Sequence, residues 1–256
     1  MEMLLRAFGI TKTYGAFTAL SDVSFDVSKG EVVAVVGPNG AGKTTLVSTL
    51  SGLYTPDSGD VIFEGRSVLG LGPAALALRG LARSFQLVTV YPTFTVEDMI
   101  AVGAFARAGE TFRLWKPASL YKAERDEVRA IAAAFGLAHR LSTPCSALSQ
   151  GEKKLVDIAS ALTLRPRLML LDEPTSGISS ADKHRIMETL LDAARRCGVE
   201  SLVLVEHDMD LISRYATRVI GLKAGQIVAD MRPDAFFRDP EVIDTLVGKV
   251  PHHALG

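Results

Sequence analysis

Residues 31–45 read EVVAVVGPNGAGKTT. After Glu31 comes a near-continuous apolar run ending at Gly37, the pattern of a strand buried on both faces of a parallel sheet. Gly37-Pro38-Asn39-Gly40-Ala41-Gly42-Lys43-Thr44 then fits the spacing G-x-x-x-x-G-K-S/T in full. A helix is expected to follow through Leu46, Val47 and Leu50. Strand, glycine-rich turn and helix, in that order, form the context in which this spacing cradles phosphate. The glycines let successive backbone N–H groups turn inward, and the helix N-terminus adds unsatisfied donors and its dipole. Lys43 should reach the β- and γ-phosphates, and the Thr44 hydroxyl should ligate magnesium. The plain alternative is a glycine-rich turn with a surface lysine. The flanks and the residues downstream argue against it.

Working outward, residues 1–30 alternate loosely, with Val23, Phe25 and Val27 in strict strand period. Two or three antiparallel strands are expected there. YTPDSGD (54–60) reads as a turn, and VIFEG after it as a strand. PAALALRGLA (73–82) begins with proline and reads as a helix. Residues 95–142 change in character. TVEDMIAVGAFA opens with a threonine cap, and KAERDEVRAIAAAFG places Val128, Ile131 and Phe135 on one helix face. No strand pattern appears there, so the segment reads as an inserted helical lobe. Strands and helices alternate again afterwards: a helix over 151–162, the strand RLMLLDEP, a helix over 181–196, the strand SLVLVEHD, and a hairpin turning at Ala224-Gly225. DPEVIDTLVG (239–248) has an aspartate cap and proline at the first helical position. This predicts an α/β fold with a mostly parallel sheet covered on both faces. It forms a single domain over 1–256, with a helical lobe at 94–143, an attached helix at 149–162, and a C-terminal helix and tail at 231–256.

Several further residues carry chemistry. Asp172 and Glu173 end the strand Leu168–Leu171. An aspartate there can hold magnesium directly or through water, and a glutamate beside it can polarise an attacking water. Adjacent acids after a strand are common in themselves; Lys43 upstream gives these two their meaning. His207 follows the next buried strand, where its ring could bond the γ-phosphate and orient water. Leu148-Ser149-Gln150-Gly151-Glu152 puts a hydroxyl and a glycine at a helix start, with Lys153 and Lys154 in its first turns. That is an anion-ready helix start with no anion of its own; read alone, it is an ordinary serine-capped helix. Gln86 could sit on magnesium or water as a hinge sensor, and Tyr14 could stack on a nucleobase, although both residue types are commonly just solvated.

Composition sets bounds. Lys+Arg is 28 against Asp+Glu 29, a balance that does not suggest nucleic acid by bulk charge. Cys145 and Cys197 have no metal-ligand spacing and fit a reducing compartment. The first ten residues are too short and too broken by charge for a signal sequence, and no run approaches a membrane span. A membrane role would need a partner. His252 and His253 near the end are weak as a metal site.

Taken in order, Tyr14, GPNGAGKTT (37–45), Gln86, LSQGE (148–152), LMLLDEP (168–174) and His207 resemble the nucleotide-binding subunit of an ATP-binding cassette transporter. The resemblance covers nearly the whole chain. It implies ATP and Mg2+ as cofactors, with Asn39, Gly40, Gly42, Lys43, Thr44 and Thr45 around the phosphates and Tyr14 on adenine. Thr44, Gln86 and Asp172 would surround the metal. Glu173 would be the catalytic glutamate, His207 the switch histidine and Gln86 the lobe-coupling glutamine. It further implies that two cassettes pack head to tail, so that Ser149 and Gly151 of one hold the γ-phosphate bound by the other. The family's usual signature is LSGGQ, so Gln150 and Glu152 depart from it, and Ser179 stands where many members have aspartate. RSFQ (83–86), the 103–113 segment and DPEVIDTLVGK (239–249) resemble the branched-chain amino-acid uptake subgroup. LSQGEKK looks like the signature of urea and short-amide uptake cassettes.

The implied partners are membrane permease subunits, a second cassette of the same or a related chain, and indirectly an extracytoplasmic binding protein, with no nucleic acid. The implied location is peripheral, on the cytoplasmic face of the inner membrane. Apolar residues near 86–100, among them Phe85, Val88, Val90, Tyr91, Pro92 and Phe94, are expected to line a groove for a permease helix or to pack the lobes together. The rival reading is the ATPase of a soluble assembly machine, such as that of iron–sulfur cluster assembly. Chromosome-organising ATPases would need a long coiled coil, and no heptad run is present.

Overall fold

The computed structural model describes residues 2–84, 91, 93–108 and 122–246. Gln86, Phe85, Val88, Val90, Pro92 and the pair His252-His253 lie outside the described residues, as does much of the 103–113 segment. The chain divides into two compact units.

The first unit comprises the described residues of 1–76, 170–173 and 200–256. It contains β1 (Met3–Tyr14), β2 (Phe17–Ser28), β4 (Ser58–Phe63) and β5 (Arg66–Ser67), which form an antiparallel sheet in the order β2-β1-β4-β5. Its other sheet is built on β3 (Val32–Val36), which pairs in parallel with β8 (Ser201–Val205) on one side and β9 (Arg218–Lys223) on the other. β10 (Gln226–Met231) closes that edge antiparallel to β9 through a tight turn. Ala224 and Gly225 both have positive φ there (48° and 77°), the backbone that a two-residue hairpin requires. β3, β8 and the later residues of β7 (Leu168–Asp172) are buried almost throughout. This explains why they carry no polar alternation. α1 (Lys43–Leu50), α7 (Met209–Tyr215), α8 (Pro233–Phe236) and α9 (Pro240–Leu246) complete the unit. The α9 cap forms as its sequence implies, with Asp239 Oδ1 accepting from Glu241 N at 3.0 Å and Val242 N at 3.1 Å. Phe236 and Leu246 join Ala34, Val36, Ile212, Val219 and Ala229 in one core cluster.

The second unit takes residues 77–169 and 174–199. It holds β6 (Leu81–Ser84), α3 (Val96–Arg107), α4 (Lys122–Ala134), α5 (Gln150–Thr163), α6 (Ser180–Arg196) and the first residues of β7. In the sheet order β6 follows β7. Thr95 caps α3 through a reciprocal capping box with Asp98. α3 and α5 approach closely at Gly103, where an added Cβ would lie 2.3 Å from Thr163 Oγ1 and 2.4 Å from Ser160 O. Two hydroxyls fasten the same seam: Ser160 Oγ donates to Met99 O at 2.8 Å and Thr163 Oγ1 to Ile100 O at 3.0 Å. Gly103→Val should therefore force these helices apart and destabilise the protein by about 1–3 kcal/mol, as overpacking does. Thermal unfolding monitored by circular dichroism would show it, and an unchanged midpoint would refute the tight seam.

Two sequence expectations need correction. The helix expected over 73–82 is shorter. α2 spans Pro73–Leu78, Gly80 turns the chain at φ 98°, and residues 81–84 become strand β6 with Leu81 and Ala82 buried. Glycine in the left-handed region ends the helix, and burial then favours the strand. In the C-terminal segment β10 reaches Met231, and two short helices, α8 and α9, follow in place of one.

Candidate functional site

The turn after β3 shows why its glycines are needed. At Gly37 an added Cβ would lie 2.0 Å from Leu222 O, and at Gly42 it would lie 2.4 Å from Ala19 O. Gly40 and Gly42 have φ of 79° and 104°, in the left-handed region. Gly42 is also the N-cap of α1 and has no side chain to engage the first-turn N–H groups. Lys43 is buried and folds back over the loop, donating from Nζ to Gly37 O at 2.7 Å and to Pro38 O at 3.0 Å. Burial lowers its pKa, and the charges of Glu173 and then Asp172 oppose that shift, which puts both acids within electrostatic reach of the ammonium. Thr44 and Asn39 are exposed, and Thr45 is partly so.

Asp172 is buried at the end of β7, and Glu173 follows at φ 49°. That left-handed backbone costs a non-glycine residue roughly 1–2 kcal/mol. The Glu173 N–H donates to Val205 O at 2.9 Å, fastening the end of β7 to the end of β8. Two residues after Val205, the His207 ring lies with Nε2 2.9 Å from Glu173 Oε1. The acids and the histidine, distant in sequence, are thus brought together beyond the ends of neighbouring strands. Lys43, Asp172, Glu173 and His207 all lie in the first unit.

These residues fit a magnesium nucleoside triphosphate. The glycine-rich loop turns through left-handed backbone packed tightly against Ala19 and Leu222, α1 directs uncapped N–H groups at the loop, and one cation and two carboxylates stand nearby. Tyr14 lies at the end of β1 and is 45% exposed, so its ring is accessible for stacking.

In the second unit, Ser149 caps α5. Its Oγ accepts from Glu152 N at 3.2 Å, while the Glu152 carboxylate accepts from Ser149 N and from Ser149 Oγ, each at 2.9 Å. The expected helix start without an anion of its own therefore does hold one, the carboxylate of Glu152. These bonds keep that carboxyl below its usual pKa, and Arg140 Nε stands 3.3 Å from it. Lys154, two residues from Glu152 in sequence, is buried and donates to Ser176 instead. The reciprocal cap was announced by S-x-x-E at 149–152. Gly151 lies against Ile178, where an added Cβ would meet Cγ1 at 3.7 Å. Ser179 caps α6 without a side-chain bond to its backbone, donating to Asp182 Oδ2 at 2.7 Å. Gln86, expected at the hinge and on the metal, lies outside the described residues. Sequence reasoning missed the surroundings of Tyr14, where Lys12 and Tyr54 converge.

Comparison with known proteins agrees with this chemistry. A family model described as ABC transporter matches residues 20–176. A probable branched-chain amino acid transport ATP-binding protein of Methanocaldococcus jannaschii is 30% identical, covering 96% of this chain and 98% of its own length. A methionine import ATP-binding protein of Rhizobium etli is 33% identical, over 99% of this chain and 70% of its own. Among solved structures, an ATP-binding cassette of an ABC transporter in its ADP conformation superposes with a TM-score of 0.83 at 29% identity. That match covers 97% of this chain and 100% of the other.

Proposed function

The chain belongs to the ABC transporter family, as its ATP-binding, ATP-hydrolysing subunit, and on that premise we propose that it energises a membrane importer of branched-chain amino acids or a related small metabolite. The observation that carries the catalytic part is the Glu173–His207 contact of 2.9 Å, beside the glycine cradle that holds Lys43. Similarity to a protein named for branched-chain amino acid transport, along nearly the full length of both chains, supports the substrate part, and the relative named for methionine import supports the direction. The relative named for methionine import keeps the substrate class broad.

In this reading Tyr14 stacks on adenine. The amides of Asn39, Gly40, Gly42, Lys43, Thr44 and Thr45 wrap the phosphates, and the Lys43 ammonium turns from the loop carbonyls to the terminal phosphoryl oxygens. Thr44 and Asp172, with Gln86, would hold magnesium, which supplies charge neutralisation at the phosphates. Glu173 accepts a proton from the attacking water, and His207 holds the glutamate and the γ-phosphate in register. Ser149 and the Gly151 N–H of a second cassette cover the same phosphate, which requires the Ser149 hydroxyl to leave Glu152 while Arg140 retains that carboxylate. Gln86 links hydrolysis to the helical lobe. Tyr91 and Phe94, exposed and tilted against each other with ring centroids 5.1 Å apart, belong to the surface offered to a permease.

Among the described residues no helix is long and apolar enough to cross a membrane, and the reading places the chain peripherally on the cytoplasmic face, held by its permeases. The test is co-purification from native membranes in mild detergent, with bound partners identified by mass. Two polytopic subunits with one or two cassettes are expected. A soluble scaffold complex without membrane protein would overturn the importer reading in favour of an assembly machine, leaving the ATP chemistry standing.

A further inference from the structure

Tyr14 does not stand alone at the end of β1. Tyr54, just beyond α1, meets it nearly perpendicularly, with ring centroids 6.1 Å apart and planes at 80°. Lys12 Nζ lies over the Tyr14 ring, 5.8 Å from its centroid. Perpendicular ring pairs and cations over a ring face are both attractive arrangements, and both restrict the ring's tilt. The cation is itself fixed, donating to Thr55 O at 2.7 Å and to Asp57 Oδ1 at 3.0 Å. Asp57 also accepts from Thr13 N at 2.6 Å and from Thr13 Oγ1 at 2.7 Å. These bonds hold the Asp57 carboxyl down at about 2, so the clamp stays ionised throughout the neutral range. Residues 12–14 and 54–57 are thereby stapled side by side, while both tyrosines keep a large part of their surface in solvent. Partly exposed aromatic side chains are normally free to change rotamer, and here two neighbours hold one in place.

We propose that Tyr54, with Lys12, is a positioning residue that pre-orients the Tyr14 ring for the nucleobase of ATP. The proposal rests on the reading that Tyr14 stacks on the base. A ring ordered beforehand need not be ordered on binding, and the ordering of one side chain corresponds to about a 2- to 10-fold change in affinity.

The experiment compares KM and kcat for ATP with the dissociation constant for magnesium tripolyphosphate, which has phosphates but no base. Tyr54→Leu should raise KM for ATP about 2- to 10-fold, leaving kcat and tripolyphosphate binding unchanged. Tyr54→Phe, which keeps the ring, should restore KM. In a Tyr14→Leu background, Tyr54→Leu should add nothing, because there is no ring left to position. An equal loss of tripolyphosphate affinity, or an equal effect in the Tyr14→Leu background, would mean that Tyr54 acts through the fold, and would overturn the proposal. If Tyr14→Leu raises KM and Tyr54→Leu does not, the positioning role alone falls. If Tyr14→Leu itself leaves KM unchanged, the stacking reading falls and the positioning role with it.

Discussion

Glu173→Gln is expected to slow steady-state ATP hydrolysis by about 100-fold or more, the range lost when a general base is removed, while nucleotide affinity stays close to that of the unaltered chain. Gln fills the same space and can still bond His207, but its amide cannot take a proton from water at neutral pH. The phosphate-loop lysine keeps one of its two nearby carboxylates. Lys43 feels Glu173 and Asp172 together, so Asp172 still offsets its charge after the substitution. The left-handed backbone at residue 173 is held by the bond from its N–H to Val205 O. That bond does not involve the side chain, so the variant should fold. Phosphate release gives the rate, and equilibrium binding of a fluorescent ATP analogue gives the affinity. A rate within about threefold of the starting value would remove Glu173 from the base role. His207→Ala tests the other half of the 2.9 Å contact. It leaves the carboxylate in place but unoriented, so a smaller loss is expected.

What could be read in the sequence was whatever depends on neighbouring residues or on strand ends. The phosphate loop is local, since its glycines, lysine and threonine are consecutive and the strand and helix around it are set by their own patterns. Asp172, Glu173 and His207 were legible for a different reason. Buried strands of one sheet end at a common edge, so acids and a histidine just past two such strands must approach. The cluster around Tyr14 was not legible, because Lys12 meets Thr55 and Asp57 across more than forty residues and no periodicity announces such a contact. The strand at 81–84 was hidden by the alanine and leucine content of 73–82, which suits a helix until Gly80 breaks it. The separate bonds of Glu152 and Lys154 were not legible either, because residues two apart on a helix face different neighbours. On α5 the lysine is buried toward Ser176, and the carboxylate turns back to Ser149 and Arg140.

The second large effect concerns whether Ser149 serves its own chain's nucleotide or another's. Lys43→Ala removes the cation from the phosphate loop, and Ser149→Arg blocks the start of α5; each variant alone should lose nearly all ATPase activity. Mixed in equal amounts, they should recover it in part. In a mixed head-to-tail pair, one site joins an intact Lys43 to an intact Ser149, and the other carries both defects. Random pairing makes half of the dimers mixed, so up to about a quarter of the sites are whole. A self-contained monomer cannot produce this recovery, because each molecule keeps its own defect. The ionised Glu152 carboxylate on Ser149 sharpens the expectation. Two anions cannot share that hydroxyl cheaply, so closure onto a phosphate must shift the carboxylate toward Arg140. Glu152→Gln should then lower the ATP concentration needed for half-maximal activity of the unmixed protein, since a neutral amide does not repel the incoming phosphate. A mixture no more active than its components would mean that two copies of this chain do not complete one another's site.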